Sequence, residues 1–320
     1  MMHYLIVAII LLNQLFGQET KVEEINLSGL ITDRDQEISG MDWHQDKLFL
    51  LPENLGGFLF MIPKIEILNS IKSNEKVPIT PKQTRFKTPD YKSLINGFDG
   101  FEAIAFNGNE IFISIEAEHN GKMNSYIIWG NINPSTLDVS IDKNHLKWVD
   151  TPIQLDNISY ESLLIYRDDV LMLYEANGAN LQQDAQQAIF TPSNESIAYL
   201  NFTNIEYRIT DATKIDASNK FWCINYFWPG DKKLLKPGRD RILGRVREGR
   251  SHSNSDAVER LIEFEIKNDK ITTSDKEPVQ LVLDQGASRN WESIVRLDDK
   301  GLLIATDKYP KMILGFVPFK

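Results

Sequence analysis

Five short stretches of the chain set an acid beside an uncharged residue and return, after one turn, to a second polar side chain: Met41-Asp42 to Glu53, Phe101-Glu102 to Glu116, Tyr160-Glu161 to Glu175, Thr210-Asp211 to Asn225 and Trp291-Glu292 to Asp307. The intervals are 11, 14, 14, 14 and 15 residues. Acids repeated at near-constant spacing are placed to meet around one axis, and gathering them is costly. Two unit charges about 5 Å apart repel by roughly 3 kcal/mol at an effective dielectric near 20. Either some carboxyls hold their protons with raised pKa values, or a hard cation sits among them. Ca²⁺, which accepts six to eight oxygens in flexible geometry, suits an all-oxygen ring better than Zn²⁺. The plain alternative is that the acids cap strand ends, each receiving backbone N–H groups from the next repeat. Spacing leaves both open, with Asp42, Glu102, Glu161, Asp211 and Glu292 as the expected metal ligands.

The elements that must present these residues are β-hairpins. Between the two polar residues of each copy lie turn formers, such as His44-Gln45-Asp46, Asn107-Gly108-Asn109 and Arg167-Asp168-Asp169, flanked by apolar runs. Further strand-like runs follow, including Phe58–Ile62, Tyr126–Trp129, Ile197–Leu200 and Arg260–Phe264. A four-stranded unit of roughly 50 to 60 residues, repeated, is the signature of a propeller blade. The expected fold is therefore an all-β propeller of five four-stranded blades. Six are allowed, because the fourth and fifth copies are widely spaced. Pairing the early strand Val22–Leu27 with the terminal Ile313–Val317 would close the ring and remove its open edge. The innermost strands would line a channel, and hairpin geometry would return Glu116, Glu175 and the other closing residues to the same mouth as the first acids.

Composition narrows the setting. The chain has 320 residues and a formal net charge of −10, which disfavours nucleic acid and anionic membranes as partners and accommodates a cation. Residues 1–18 read as a signal peptide, an apolar run too short to span a membrane, so a secreted or periplasmic location is expected, with residues 19–320 forming one propeller domain. No other window is long and apolar enough for a membrane span, and a monomer is expected. Cys223 is the single cysteine, which excludes an intrachain disulfide and zinc sites built on paired cysteines; its apolar neighbours make it a buried small hydrophobe. His44, His119, His145 and His252 show no metal-binding spacing. The sequence has neither a GxSxG elbow nor a Walker glycine loop. Residues 228–258 form an irregular insertion carrying Lys232, Lys233, Lys236, Arg239, Arg241, Arg245, Arg247 and Arg250. It reads either as a solvated insertion or as a cap that draws an anionic substrate to the channel.

At the repeats the sequence resembles the secreted propellers of the esterase-like activity of phytase family. Gly100-Phe101-Glu102-Ala103-Ile104-Ala105-Phe106 with Ile111–Glu116 is similar to that family's "GFEGLA…LYVALE" element, and Asn290-Trp291-Glu292-Ser293-Ile294 with Leu302–Asp307 to its "NFEGLA…LLLVSD" element. An acid per blade around a central calcium is also similar to the five-bladed calcium-dependent apyrases. The chain departs from these patterns at Ala103 and Ser293, where glycine is usual, and in its weak fourth copy. The resemblance implies a calcium-dependent hydrolase acting on a small phosphoester or other ester. Glu102, Glu161 and Glu292 would hold the metal, Glu116 or Glu175 would activate water, and Arg239 or Arg241 would clamp the anion. The other reading is a non-catalytic propeller whose cation locks the blades while its mouth binds a ligand or protein. Glycoside hydrolysis by a carboxylate pair ranks behind both.

Overall fold

The computed structural model describes residues 16–319, so the apolar stretch read as a signal peptide lies outside the described residues except for 16–18. Two short strands come first, β1 (Glu19–Thr20) and β2 (Glu23–Ile25). Antiparallel meanders then follow in chain order. The first is β3 (Ile38–His44), β4 (Lys47–Pro52), β5 (Phe58–Pro63) and β6 (Lys82–Lys87), with helix α1 (Lys64–Lys72) between its last two strands. The second is β7 (Phe98–Asn107), β8 (Glu110–His119), β9 (Lys122–Ile132) and β10 (Val139–Val149). The third is β11 (Tyr160–Tyr166), β12 (Asp169–Tyr174), β13 (Gln186–Thr191) and β14 (Ser196–Phe202). The fourth is β15 (Arg208–Ala212), β16 (Lys220–Phe227), β17 (Val258–Lys267) and β18 (Lys270–Thr273). A short strand, β19 (Val279–Leu281), pairs with β17 and carries β1 in parallel. The last is β20 (Trp291–Leu297), β21 (Gly301–Thr306) and β22 (Leu314–Pro318), completed by β2, whose Ile25 opposes Leu314.

This is a β-propeller closed by its two terminal segments. The inner strands β3, β7, β11, β15 and β20 neighbour one another in a circuit that returns from β20 to β3. Short parallel bridges, β6 with β10 and β14 with β18, weld the outer edges of adjacent meanders and cover strands that would otherwise be open to pairing. Closure follows from apolar faces that one meander cannot bury alone. Phe49, Phe101 and Ile113 pack between the first and second meanders, and Ile127, Tyr160 and Tyr174 between the second and third. Leu171, Phe221 and Phe264 lie between the third and fourth, Trp222, Trp291 and Ile304 between the fourth and fifth, and Met41, Leu48 and Leu303 between the fifth and first. The large residues before the acids are thus inter-blade packing, and Cys223 is buried among apolar neighbours on β16. Among the described residues no helix is long and apolar enough to cross a membrane.

The basic insertion is held down by its own acids. Asp231 accepts from Arg208 at 2.8 Å, and Asp240 takes a two-pronged contact from the buried Arg260 at 2.7 and 3.1 Å. Farther along, the Glu19 carboxylate accepts from Ser251 Oγ (2.6 Å) and lies 2.7 Å from His252 Nδ1, tying the chain start to the insertion. The eight basic side chains face solvent.

Candidate active site at the channel mouth

Each inner strand breaks register, β7 at two places, and in three of them a break holds a glutamate that lines the mouth cavity. Ladder pairing jumps between Tyr160 and Ser162, between Trp291 and Ser293, and between Phe101 and Ile104, leaving Glu161, Glu292 and Glu102 in β-bulges. A bulge bends the strand locally and re-aims its extra residue, which is how a buried ladder can present a carboxylate to a channel. In the first meander the jump lies between Ile38 and Gly40, and in the fourth between Ile209 and Ala212. The matching positions there are Ser39 and Thr210. The first repeat is therefore misregistered by three residues when read from Asp42. Counted from Ser39, the distance to Glu53 is 14 residues, which removes the anomalous interval of 11.

Asp42 and Asp211, expected as metal ligands, are instead inter-blade braces. Asp42 accepts the Phe106 N–H of the second meander at 2.7 Å and lies 3.1 Å from Lys214 Nζ. Asp211 accepts the Ile294 N–H of the fifth at 2.7 Å. Neither lines the mouth cavity. Beside them, Ser39 Oγ donates to Phe101 O (2.5 Å) and Thr210 Oγ1 to Trp291 O (2.6 Å), so each acid-free bulge fastens the backbone just before a bulged glutamate. Lys214 reaches from the fourth meander to Trp43 O (2.9 Å) and Phe106 O (3.2 Å), crossing toward the opposite end of the channel.

Nine carboxyls gather at the mouth. Glu53, Glu102, Glu116, Glu161, Glu175, Glu292 and Asp307 line a cavity of about 450 Å³, with Glu37 and Asp99 also on its wall. Burial, reinforced by Glu116 and other acids, raises Glu102 far above the usual carboxylate range; Glu161 is raised by burial and then by Glu102, and Glu292 by burial and then by Asp307. Glu116 is pushed up to about 8 by burial and by Glu175. Burial pushes Glu53 up to about 9, helped by its hydrogen bond with Glu37. Burial would raise Glu37 too, but that hydrogen bond and Lys308, 2.7 Å away, hold it below its ordinary value.

One cation enters from the fourth meander, where the ring acid is missing. Arg208 binds Glu175 Oε1 at 2.7 Å and Asp231 at 2.8 Å, yet burial still leaves Glu175 raised. Sequence reading missed Arg208. Its signal was positional: it stands two residues before Thr210, as Glu37 stands before Ser39 and Asn290 before Glu292, and all three line the cavity. Arg239 and Arg241 are elsewhere. They line a separate groove of about 510 Å³ with Asn180, Asn204 and Glu206, which shares no residue with the mouth cavity.

The donor set is all oxygen. Glu116 is 4% exposed and Glu175 2%, and an Oε2 atom of each is buried without a hydrogen-bond partner while both line the cavity. Stranded carboxylate oxygens of this kind fit a hard cation. Among the described residues no three acid, histidine or cysteine side chains are already closed around one point.

No protein-family model matches the sequence, and no curated protein matches it. Among solved structures the chain is similar to a mutant α-L-arabinanase of Cellvibrio cellulosa (11% identity, 87% of this chain and 90% of that one, TM-score 0.47). It is also similar to a glycoside hydrolase from a mannoside phosphorylase family that targets β-1,2 mannosidic linkages in Candida mannan (11%, 94% and 93%, 0.49). A third is the hydrazine synthase of Kuenenia stuttgartiensis (9%, 87% and 76%, 0.41). At these identities and scores no activity or substrate carries over to this chain.

Proposed function

We propose that the protein is a calcium-dependent hydrolase of phosphoesters or other esters working at the acid-lined mouth, and that it acts outside the cytoplasm. The observation that supports this most directly is the pair of stranded oxygens, Glu116 Oε2 and Glu175 Oε2, inside a cavity walled by nine carboxyls. In this reading Glu102, Glu161 and Glu292, one from each of three bulged strands, hold the ion. When bound, calcium supplies the positive charge that lets these groups ionise together and polarises the ester oxygen.

The remaining steps fall to the chain's own residues. Glu116, which has no cationic partner within salt-bridge distance among the described residues, takes a proton from the attacking water; the water oxygen joins phosphorus or the acyl carbon. The bond to the leaving oxygen breaks, and that oxygen takes up a proton, leaving acid and alcohol. Arg208 replaces Arg239 and Arg241 as the anion contact, its direction fixed by Glu175 and Asp231. Glu175, already paired with Arg208, orients that guanidinium.

The test is turnover of a phosphoester and carboxyester panel with calcium and with chelator. Activity abolished by chelator and lowered at least about a hundredfold by Glu161→Gln is expected. Activity untouched by both would overturn the reading. A calcium-dependent gain in melting temperature with no turnover would instead favour a binding propeller whose ion locks the blades.

A further inference from the structure

The acid cavity adjoins an outer chamber of about 560 Å³ with which it shares Asn157, Glu175, Arg208, Asn290, Glu292 and Tyr309. The outer chamber differs in chemistry because it adds Tyr226, Trp228, Asp231 and Ser288. Trp228 is 55% exposed and Tyr309 56%, large rings that the core does not use.

The Trp228 ring is nevertheless fixed. It lies against Gly230 so closely that an added Cβ there would come within 2.1 to 2.5 Å of the indole. The next residue, Asp231, is anchored to Arg208. On the other side, the Arg34 guanidinium sits 5.1 Å from the Tyr309 ring centre, steadying that ring, and the Tyr309 N–H donates to Asp307 at 2.8 Å. Both aromatics are thus tied to residues of the mouth.

We propose that this outer chamber is a subsite for a pyranose ring, so that the substrate presented to the acid cavity is a sugar ester or sugar phosphate. The inference deepens the hydrolase reading and rests on it for the word substrate. A sugar offers one face of C–H groups, which stacks on an aromatic ring, and a rim of hydroxyls that need hydrogen-bond partners. The chamber supplies both: Trp228 and Tyr309 as ring faces, with the amides of Asn157 and Asn290 and the ion pair of Asp231 and Arg208 as polar partners. A flat aryl group would use the rings but leave those polar groups desolvated without partners, at a cost. A simple alkyl ester would use neither.

The experiment separates the two claims because it reads binding without turnover. Calcium-loaded full-length protein is titrated with methyl α-D-glucopyranoside, methyl α-D-mannopyranoside, methyl α-D-galactopyranoside and phenol, followed by saturation-transfer NMR. Binding of at least one pyranoside in preference to phenol is expected, with Trp228→Ala weakening it by about tenfold while calcium affinity is unchanged. Gly230→Ala, which keeps every lining side chain but displaces the indole, should weaken it in the same direction. Preference for phenol, binding by no pyranoside, or pyranoside binding indifferent to both variants would overturn the subsite. Pyranoside binding intact with no hydrolysis of any member of the phosphoester and carboxyester panel, sugar phosphates and sugar acetates included, would remove the hydrolase reading and leave the subsite standing.

Discussion

At the scale of single residues, the mouth carboxyls store an electrostatic conflict whose sign can be worked out. Glu53 is pushed to about 9 and Glu116 to about 8, against an ordinary value of 4.5. An acid whose pKa is higher in the folded than in the unfolded chain binds its proton more tightly when folded, so the fold loses stability as pH rises from the unfolded value through the folded one. Without divalent ions, the melting temperature should therefore be several degrees lower at pH 8.5 than at pH 5.5. Calcium should abolish that difference, since it replaces the protons. Glu19 acts oppositely: burial would raise it, but hydrogen bonds from Ser251 and His252 hold it low, so its contribution fades as pH falls below about 4.5. Thermal scans at the two pH values, with chelator and with calcium, check this directly. A melting temperature that rises with pH in chelator would contradict the mouth electrostatics.

At the scale of elements, the bulge is what separates the acids that face the cavity from those that brace the blades. Glu102, Glu161 and Glu292 sit in bulges and face the cavity, while Asp42 and Asp211 accept N–H groups from the next inner strand. Asp211→Ala should thus destabilise the protein by about 1–3 kcal/mol, the cost of a buried Ile294 N–H without a partner, while leaving calcium affinity unchanged. Trp291→Ala, which empties space between two meanders, should cost about 3–5 kcal/mol. Denaturant melts and a calcium titration of each variant separate the two effects. The hairpins were legible because their alternating apolar residues and turn formers are local signals. Glu102, Glu161 and Glu292 were legible because each follows a large packing residue in the same way. The first repeat was misread because Ile38-Ser39 carries no charge, so Asp42, three residues on, drew the register to itself. Arg208 was invisible for a related reason: its place in the ring depends on where β15 bulges, which is a matter of pairing rather than of residue type.

At the scale of the whole molecule, closure decides whether the acids meet at all. β2 supplies the outer strand of the last meander, so the first and last described segments hold one sheet together. Ile25→Pro, which removes a ladder N–H opposite Leu314 and an apolar contact, should loosen that sheet and lower cooperativity of unfolding. The basic insertion, by contrast, has its eight basic side chains outward and turns Asp231 and Asp240 inward. Only Trp228 and Asp231, at its start, line the mouth chamber. Eight basic residues in the segment read as a cap over the channel, and their count carries no sign that Asp231 and Asp240 are what anchor it.

In the proposed function, carboxyls from separate bulged strands share one hard cation at the mouth. Calorimetric titration of metal-stripped protein with calcium tests it most directly, comparing wild type with Glu102→Gln/Glu161→Gln/Glu292→Gln and with Asp42→Asn/Asp211→Asn. Saturable binding is expected in the wild type and in the aspartate pair variant, and none in the glutamate triple variant. Binding that survives loss of the three glutamates, or that disappears with the two aspartates while the protein remains folded, would contradict it.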